Sequence, residues 1–346
     1  MTLRYGIQQQ GVWYDLPPNA QMYFLCQGAV VQSALAVVAE LGIADLLTEG
    51  PQSADRLAEL THSHAQALRR VLRLLGSVGV FSEVESNRFA LTPLSECLLS
   101  NGAESMRSWV KMVGQRIWMR TWAEASYTVR TGEPALAHTM GAEIFDYFAA
   151  HPEEGDIFNE AMDEFGRRVA AAVVQAYDFS GIGTIADIGG GHGTLIAAIL
   201  QANPQMKGIL FDMPRVVAGA GRFIHSELAS RCEIRGGDFF QSVPAADTHI
   251  LRWVIHDWDH DRALTVLRNC RAVMKQRDRL LLVEAVVPPG EEPHASKVLD
   301  FVMLVAMGGQ ERTAAEYGDL LREAGFRVNR IVPTGTPLSV IEALPE

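Results

Sequence analysis

The segment Asp187-Ile188-Gly189-Gly190-Gly191-His192-Gly193, directly behind Gly183-Thr184-Ile185-Ala186, admits one kind of local structure: a buried apolar strand that breaks into a glycine loop and continues as a helix. Glycines at alternate positions 189, 191 and 193 remove the side chains that would hold the backbone away from a ligand, and they permit turns with φ > 0. A strand that runs into such a loop belongs to an open α/β sheet, whose ligands lie at the carboxyl ends of the strands.

Spacing decides which ligand. A dinucleotide fingerprint needs Gly-x-Gly-x-x-Gly or Ala, and the last position is Thr194 counted from Gly189 and Ile196 counted from Gly191. A P-loop needs Gly-Lys-Ser/Thr after the turn, and no lysine follows. What remains, Asp-x-Gly-x-Gly-x-Gly with Asp187 at the strand end, suits a cationic, phosphate-free molecule such as S-adenosylmethionine. The next apolar run, Gly208-Ile209-Leu210-Phe211, ends in Asp212, a carboxylate placed to accept ribose hydroxyls. A third run, Cys232-Glu233-Ile234-Arg235, leads into Gly236-Gly237-Asp238-Phe239-Phe240, where Asp238 is expected to take an adenine amino group and an aromatic ring to cover the base. Each element alone is also a plain turn, but three strand-end acids in order are not explained by turns.

Composition narrows the alternatives. The chain has 346 residues with 48% hydrophobic residues, enough for two modest domains with a sizeable core. A formal net charge of -11 disfavours a phosphate backbone as partner. Cys26, Cys97, Cys232 and Cys270 are scattered without Cys-x-x-Cys spacing, which argues against zinc and disulfides and suits a reducing, cytoplasmic setting. The apolar stretch 22–47 is interrupted by Gln27, Gln32, Ser33, Glu40 and Asp45, so neither export nor a membrane span is expected.

Along the chain, 18–47 shows apolar residues at helical spacing around most of its circumference, as in a core helix or a subunit interface. Helices over 53–60 and 63–75 and a hairpin over 80–91, turning at Ser86-Asn87, make a winged-helix pattern. Its five basic residues (56, 69, 70, 73, 88) barely exceed its four acidic ones (55, 59, 83, 85), too weak an excess for DNA. Residues 108–177 read as helices rich in aromatics, divided at Gly132-Glu133-Pro134 and His151-Pro152. Beyond 182 the rhythm alternates: strands near 184–188, 208–211, 232–235, 248–253, 279–286, 327–332 and 338–343, and helices over 194–202, 215–228, 260–275 and 313–325. That alternation predicts a mostly parallel sheet with helices on both faces. The expected domains are 1–103, a helical connector 104–178, and 179–346.

The run Leu251-Arg252-Trp253-Val254-Ile255-His256-Asp257-Trp258-Asp259, taken with the three strand-end acids, Phe158-Asn159-x-x-Met162 and Gly308-Gly309-Gln310-Glu311-Arg312-Thr313, resembles the S-adenosylmethionine-dependent O-methyltransferases of plant phenylpropanoid and bacterial polyketide or phenazine metabolism. The resemblance spans nearly the whole chain. It implies a Rossmann-like doubly wound methyltransferase sheet behind an amino-terminal, mainly helical winged-helix dimerisation domain, a homodimer, a small aromatic acceptor, and no nucleic acid or membrane partner. It places the catalytic base at His256, where bottom-up reasoning also puts it: at a strand end facing the ligand crevice, with an imidazole matched to taking a phenol's proton near neutral pH. The flanking carboxylates fall on Glu284 and Glu311. Cofactor contacts fall on Asp187, Gly189, Gly191, Asp212, Asp238, Phe239 and Arg252, the last replacing a lysine usual in plant members. Acceptor contacts fall on Trp118, Phe158, Met162, Met303, Met307 and Asp257. Loop 303–311 is one residue shorter than in plant members and lacks their His-Asn-Pro. A metal held by His256-Asp257-Trp258-Asp259-His260 is disfavoured, because a strand-to-helix junction does not keep i and i+4 on one face. The remaining alternatives are a relative that keeps the cofactor but decarboxylates or hydroxylates, and a DNA-binding regulator.

Overall fold

The computed structural model describes residues 16–102 and 104–346, which fall into two compact units: the described residues up to Met119 with Phe148–Phe165, and Arg120–Tyr147 with Gly166–Glu346. The connector expected over 104–178 is thereby divided between the two.

The first unit is mainly helical. The expected single apolar helix over 18–47 is broken into Pro18–Cys26, Gly28–Glu40 and Ile43–Leu46, the second break falling at Gly42 with φ 65°. Ser53 caps helix Ala54–Leu60 by accepting from the Arg56 amide at 3.1 Å, and His64 rather than Ser63 caps Ala65–Ser77. Strands β1 (Gln52–Ser53), β2 (Phe81–Glu85) and β3 (Arg88–Leu91) form an antiparallel sheet in the order β1-β3-β2, and Asn87 takes the left-handed backbone that the tight β2–β3 turn demands. Leu57, Leu68, Leu72, Leu75, Phe81 and Phe89 bury against Val38 and Ile43 as its core. Among the described residues no single helix is long and apolar enough to cross a membrane; Pro18–Cys26 and Gly28–Glu40, bent by 43°, pass that test only as a pair.

The second unit is built on seven strands: β4 (Thr184–Ile188), β5 (Lys207–Asp212), β6 (Cys232–Gly236), β7 (Thr248–Arg252), β8 (Arg279–Ala285), β9 (Phe326–Pro333) and β10 (Leu338–Pro345). Their order is β6-β5-β4-β7-β8-β10-β9; the first five run parallel, and β10 is antiparallel to both neighbours. The chain steps outward from β4 to β5 and β6, then returns to β7 on the other side of β4. That reversal opens a crevice at the carboxyl ends of β4 and β7. Both faces are covered, so β4, β7 and β8 read as near-continuous apolar runs and bury almost completely.

Two elements depart from expectation. The helix anticipated over 215–228 is replaced by the short turns Pro214–Val217, Ala220–Arg222 and Ser226–Ser230, because Gly219 and Gly221 make a continuous helix costly. An additional helix, Ala295–Ala306, carries Asp300 and Met303.

Candidate active site

The glycine loop leaves β4 with Gly189, Gly191 and Gly193 at φ 69°, 61° and 91°, values that L side chains rarely adopt. At Gly189 space adds to backbone: a Cβ there would lie 2.7 Å from Val254 and 3.5 Å from the Phe239 ring. The loop at the end of β4 therefore packs on the segment that leads from β7 to His256.

Four of the expected cofactor residues converge on this end of the sheet. Asp212 Oδ2 accepts from the Gly191 amide at 2.8 Å and Oδ1 from the Met213 amide at 2.6 Å, so the acid of β5 braces the loop it faces. Burial raises its pKa, and those two amides oppose the rise. Asp187 is buried, and neither of its oxygens has a hydrogen-bond partner of ordinary geometry among the described residues. Burial pushes its carboxyl up to about 7, with Arg252 pulling the other way. A buried acid without a partner at the mouth of a glycine loop suits a ligand that brings its own positive charge. Asp238 bonds the Phe240 amide at 2.8 Å and Gln241 at 3.2 Å. Phe239 and Phe240 meet edge to face at 4.9 Å, and Trp258 meets Phe240 at 4.8 Å, with the Arg262 guanidinium 5.1 Å from the Trp258 ring. Arg252 lies against helix Pro152–Ala176, where a Cβ at Gly166 would come within 3.0 Å of it.

His256 sits on a short turn, Ile255–Asp257, that follows β7. His256 is buried, and its Nδ1 lies 2.6 Å from Glu311 Oε1. Glu284 Oε1 accepts from the Val254 and Ile255 amides at 3.1 and 2.9 Å, fixing the backbone that presents the imidazole, and its carboxylate acts on the His256 ring through space. Loop 307–311 closes behind. The Gln310 amide donates to the His256 carbonyl at 2.9 Å, and any side chain at Gly309 would run into that same carbonyl. Val286 and Arg312 form a parallel bridge that draws Glu311 toward the end of β8, and Arg312, buried, donates to the Ile255, Gln310 and Trp258 carbonyls. Asp257 Oδ1 lies 3.3 Å from His256 Nε2. Asp259, by contrast, caps helix His260–Val273 through the Arg262 amide.

Burial raises three of the acids here: Glu311 to about 8, with nearby Asp300 adding and Arg312 opposing, and Glu284 and Asp257 to about 7, with His256 opposing in both. His256, Glu284 and Glu311 each offer a ligand atom within 4.8 Å of the others. The 2.6 Å approach of Nδ1 to Oε1 is a hydrogen-bond length.

Of the expected acceptor residues, Met303 and Met307 lie in the second unit on and just after helix Ala295–Ala306, with Asp257 beside His256. Trp118, Phe158 and Met162 belong to the first unit, where Trp118 is buried and Phe158 packs on Phe148 at 4.8 Å. Three residues of this region escaped sequence reasoning. Asp300 accepts from the Glu311 amide at 2.9 Å, Tyr317 buries its hydroxyl near Glu284, Glu311 and Arg312, and Trp253 has a left-handed backbone. Asp300 and Lys297 are the only charges in an otherwise apolar helix, which is a signal of sorts; the other two carry none.

Family models match an O-methyltransferase domain over residues 122–327 and an O-methyltransferase dimerisation domain over 23–101. The chain belongs to the O-methyltransferase family. It is 44% identical to the phenazine O-methyltransferase PhzM of Lysobacter antibioticus, over 95% of this chain and 97% of that protein. The solved structure of LaPhzM superposes with a TM-score of 0.90, covering 96% of this chain and all of the other. An O-methyltransferase of neocarzinostatin biosynthesis, solved with S-adenosylmethionine and 2-hydroxy-5-methyl naphthoic acid, is 30% identical with a TM-score of 0.81, covering 93% and 98%. An 8-amino-8-demethylriboflavin N,N-dimethyltransferase of Streptomyces davaonensis is 37% identical over 90% of this chain and 91% of its own length. The cofactor, S-adenosylmethionine, is the one expected from the glycine loop and the three strand-end acids, and the O-methyltransferase fold is the one the resemblance implied.

Proposed function

We propose that this O-methyltransferase moves the methyl group of S-adenosylmethionine to an aromatic hydroxyl of a small natural product, with His256 as general base. The observation that carries the reading is the buried His256–Glu311 pair, set beside the glycine loop at the reversal point of the sheet. Asp187, Asp212, Asp238 and Phe239 would hold the cofactor against the side-chain-free surface of Gly189 and Gly191, and Arg252 would complete its adenine end. When bound, S-adenosylmethionine supplies an electrophilic methyl group on a sulfonium centre.

The chain's own work is proton handling and alignment. A phenol of pKa about 10 is a weak nucleophile at neutral pH, and an imidazole can take its proton as the new bond forms. Nε2 is the accepting atom, which requires the other ring proton to be on Nδ1, donated to an ionised Glu311. Glu311 then offsets the charge gained by the ring, and Glu284 keeps the backbone at Val254 and Ile255 from drifting. Met303, Met307 and Asp257 are the acceptor-side residues of this reading, two pliable apolar contacts and one polar one. The dimerisation-domain match and the exposed apolar side chains Met22, Tyr23, Leu25 and Val30 support a homodimer through the amino-terminal helices. The winged-helix pattern is read as structural, and the four free cysteines support a cytoplasmic enzyme.

The test is label transfer from methyl-labelled S-adenosylmethionine to a hydroxyphenazine, to 2-hydroxy-5-methyl naphthoic acid and to an aminoflavin. Oxygen methylation of either hydroxyarene is the expected result. Label on nitrogen alone, carbon dioxide release without label transfer, or a salt-sensitive shift of duplex DNA with no transfer would each replace this reading with another.

A further inference from the structure

Trp253 has φ 53°, in the left-handed region where a bulky residue is a genuine outlier. The strain falls one residue past the end of β7 and three before the base, within a segment otherwise fixed by regular bonds: the Trp253 amide donates to the Val283 carbonyl at 3.2 Å, and the next two amides bind Glu284. An unfavourable backbone that persists in so well-bonded a stretch is a candidate for function. Its effect is visible in the rings. The Trp253 indole and the His256 imidazole lie parallel within 13°, with centroids 5.8 Å apart. A β7 that continued with regular backbone would send this side chain elsewhere.

We propose that Trp253 is a positioning residue for the base: its indole sets the plane in which His256 presents Nε2 and faces the imidazolium formed on proton transfer. The inference rests on His256 being the base and adds the group that holds its plane. Parallel offset rings at this separation are within the range of aromatic pairing, and a cation within about 6 Å of an indole face is stabilised by its quadrupole. The other charged groups facing the imidazole are Glu311 at Nδ1 and Asp257 at Nε2, with Glu284 acting on it through space and Asp300, Arg312 and the Tyr317 hydroxyl surrounding Glu311. These groups act through hydrogen bonds and charge, whereas Trp253 offers a parallel aromatic face.

The test is the titration of His256, followed by its imidazole carbon resonances in protein saturated with S-adenosylhomocysteine, for the wild type, Trp253→Phe and Trp253→Leu. Loss of the indole should lower the midpoint by roughly half a pH unit in Trp253→Leu, the size expected of a weak cation–π contact, with Trp253→Phe in between. Methylation of the hydroxyphenazine should show kcat falling by roughly tenfold in Trp253→Leu, with S-adenosylhomocysteine affinity by calorimetry within about twofold of wild type. An unmoved midpoint in a variant that still binds S-adenosylhomocysteine overturns the proposal. Should Trp253→Leu fail to fold, Trp253→Gly, which accepts the left-handed backbone without strain, takes its place under the same two outcomes. Full turnover in His256→Ala would instead remove the base assignment and leave the titration result standing.

Discussion

The two sides of the crevice are built in opposite ways. At the end of β4 the chain subtracts: three glycines bare of side chains, a buried acid countered mainly by Arg252 through space, and a loop braced by Asp212 and the Phe211 carbonyl. Beyond β7 it adds: four acids, a buried arginine and a strained tryptophan gather around one imidazole, and nearly every backbone amide nearby is assigned. The contrast teaches which part of the site is finished before a ligand arrives. The His256 ring is oriented by Glu311 and by the backbone that Glu284 braces, whereas the burial of Asp187 is opposed mainly by Arg252 acting through space.

Changes on the base side should therefore strike turnover, and changes on the loop side should strike binding. Glu311→Gln breaks the ionised partner of Nδ1 and removes control of the ring's tautomer; kcat should fall by about 10²- to 10³-fold, within the span of general-base effects, with cofactor affinity unchanged by calorimetry. In the unaltered enzyme the productive state needs Glu311 ionised. Burial holds this group up to about 8, so kcat/KM should rise with pH through 7 and level off above about 8; a rate that is flat from pH 6 to 9 would show that the pair does not govern the proton.

On the loop side, Asp212→Ala loses the acceptor of the Gly191 amide together with the expected ribose contact. S-adenosylhomocysteine should bind about 10- to 100-fold more weakly, the equivalent of one or two charge-assisted hydrogen bonds, and kcat at saturation should hardly move. Equal losses in kcat and affinity would erase the distinction between the two sides.

The smallest effect is on stability. Asp187, Glu284 and Asp257 are raised to about 7 and Glu311 to about 8. A carboxyl raised on folding contributes stability that is fully present below its unfolded pKa near 4 and is lost as pH climbs through the folded value. The ligand-free protein should accordingly melt higher at pH 5.5 than at pH 8.5. Asp187→Asn should flatten that slope and raise Tm by a few degrees at pH 8.5, since it removes a buried charge that Arg252 offsets only in part, while weakening cofactor binding. A lower Tm in Asp187→Asn at pH 8.5 would mean that Asp187 has a structural partner after all.

Much of this division was legible in the chain. The failed dinucleotide spacing at Thr194 and Ile196, the acids closing three successive apolar runs, and His256 at the end of a fourth are local signals, and strand periodicity converts each into a position at one end of a sheet. The role of Glu284 was not legible, because whether a carboxylate one strand away reaches a ring or a backbone amide depends on the parallel register of β7 and β8. Asp300 lies in a helix so apolar that it blends with its surroundings, and the backbone of Trp253 follows from packing that no spacing rule records. The failed helix at 215–228 has a simpler cause: apolar periodicity outweighed Gly219 and Gly221 in the reading but not in the fold.

The most direct measurement of the central claim is His256→Ala, assayed for methyl transfer to the hydroxyphenazine and, in parallel, for S-adenosylhomocysteine binding by calorimetry. The account predicts a loss of kcat of about 10²- to 10⁴-fold with the dissociation constant within about twofold of wild type. Turnover retained at neutral pH, or cofactor affinity lost along with it, would contradict a base that the protein orients independently of the glycine loop.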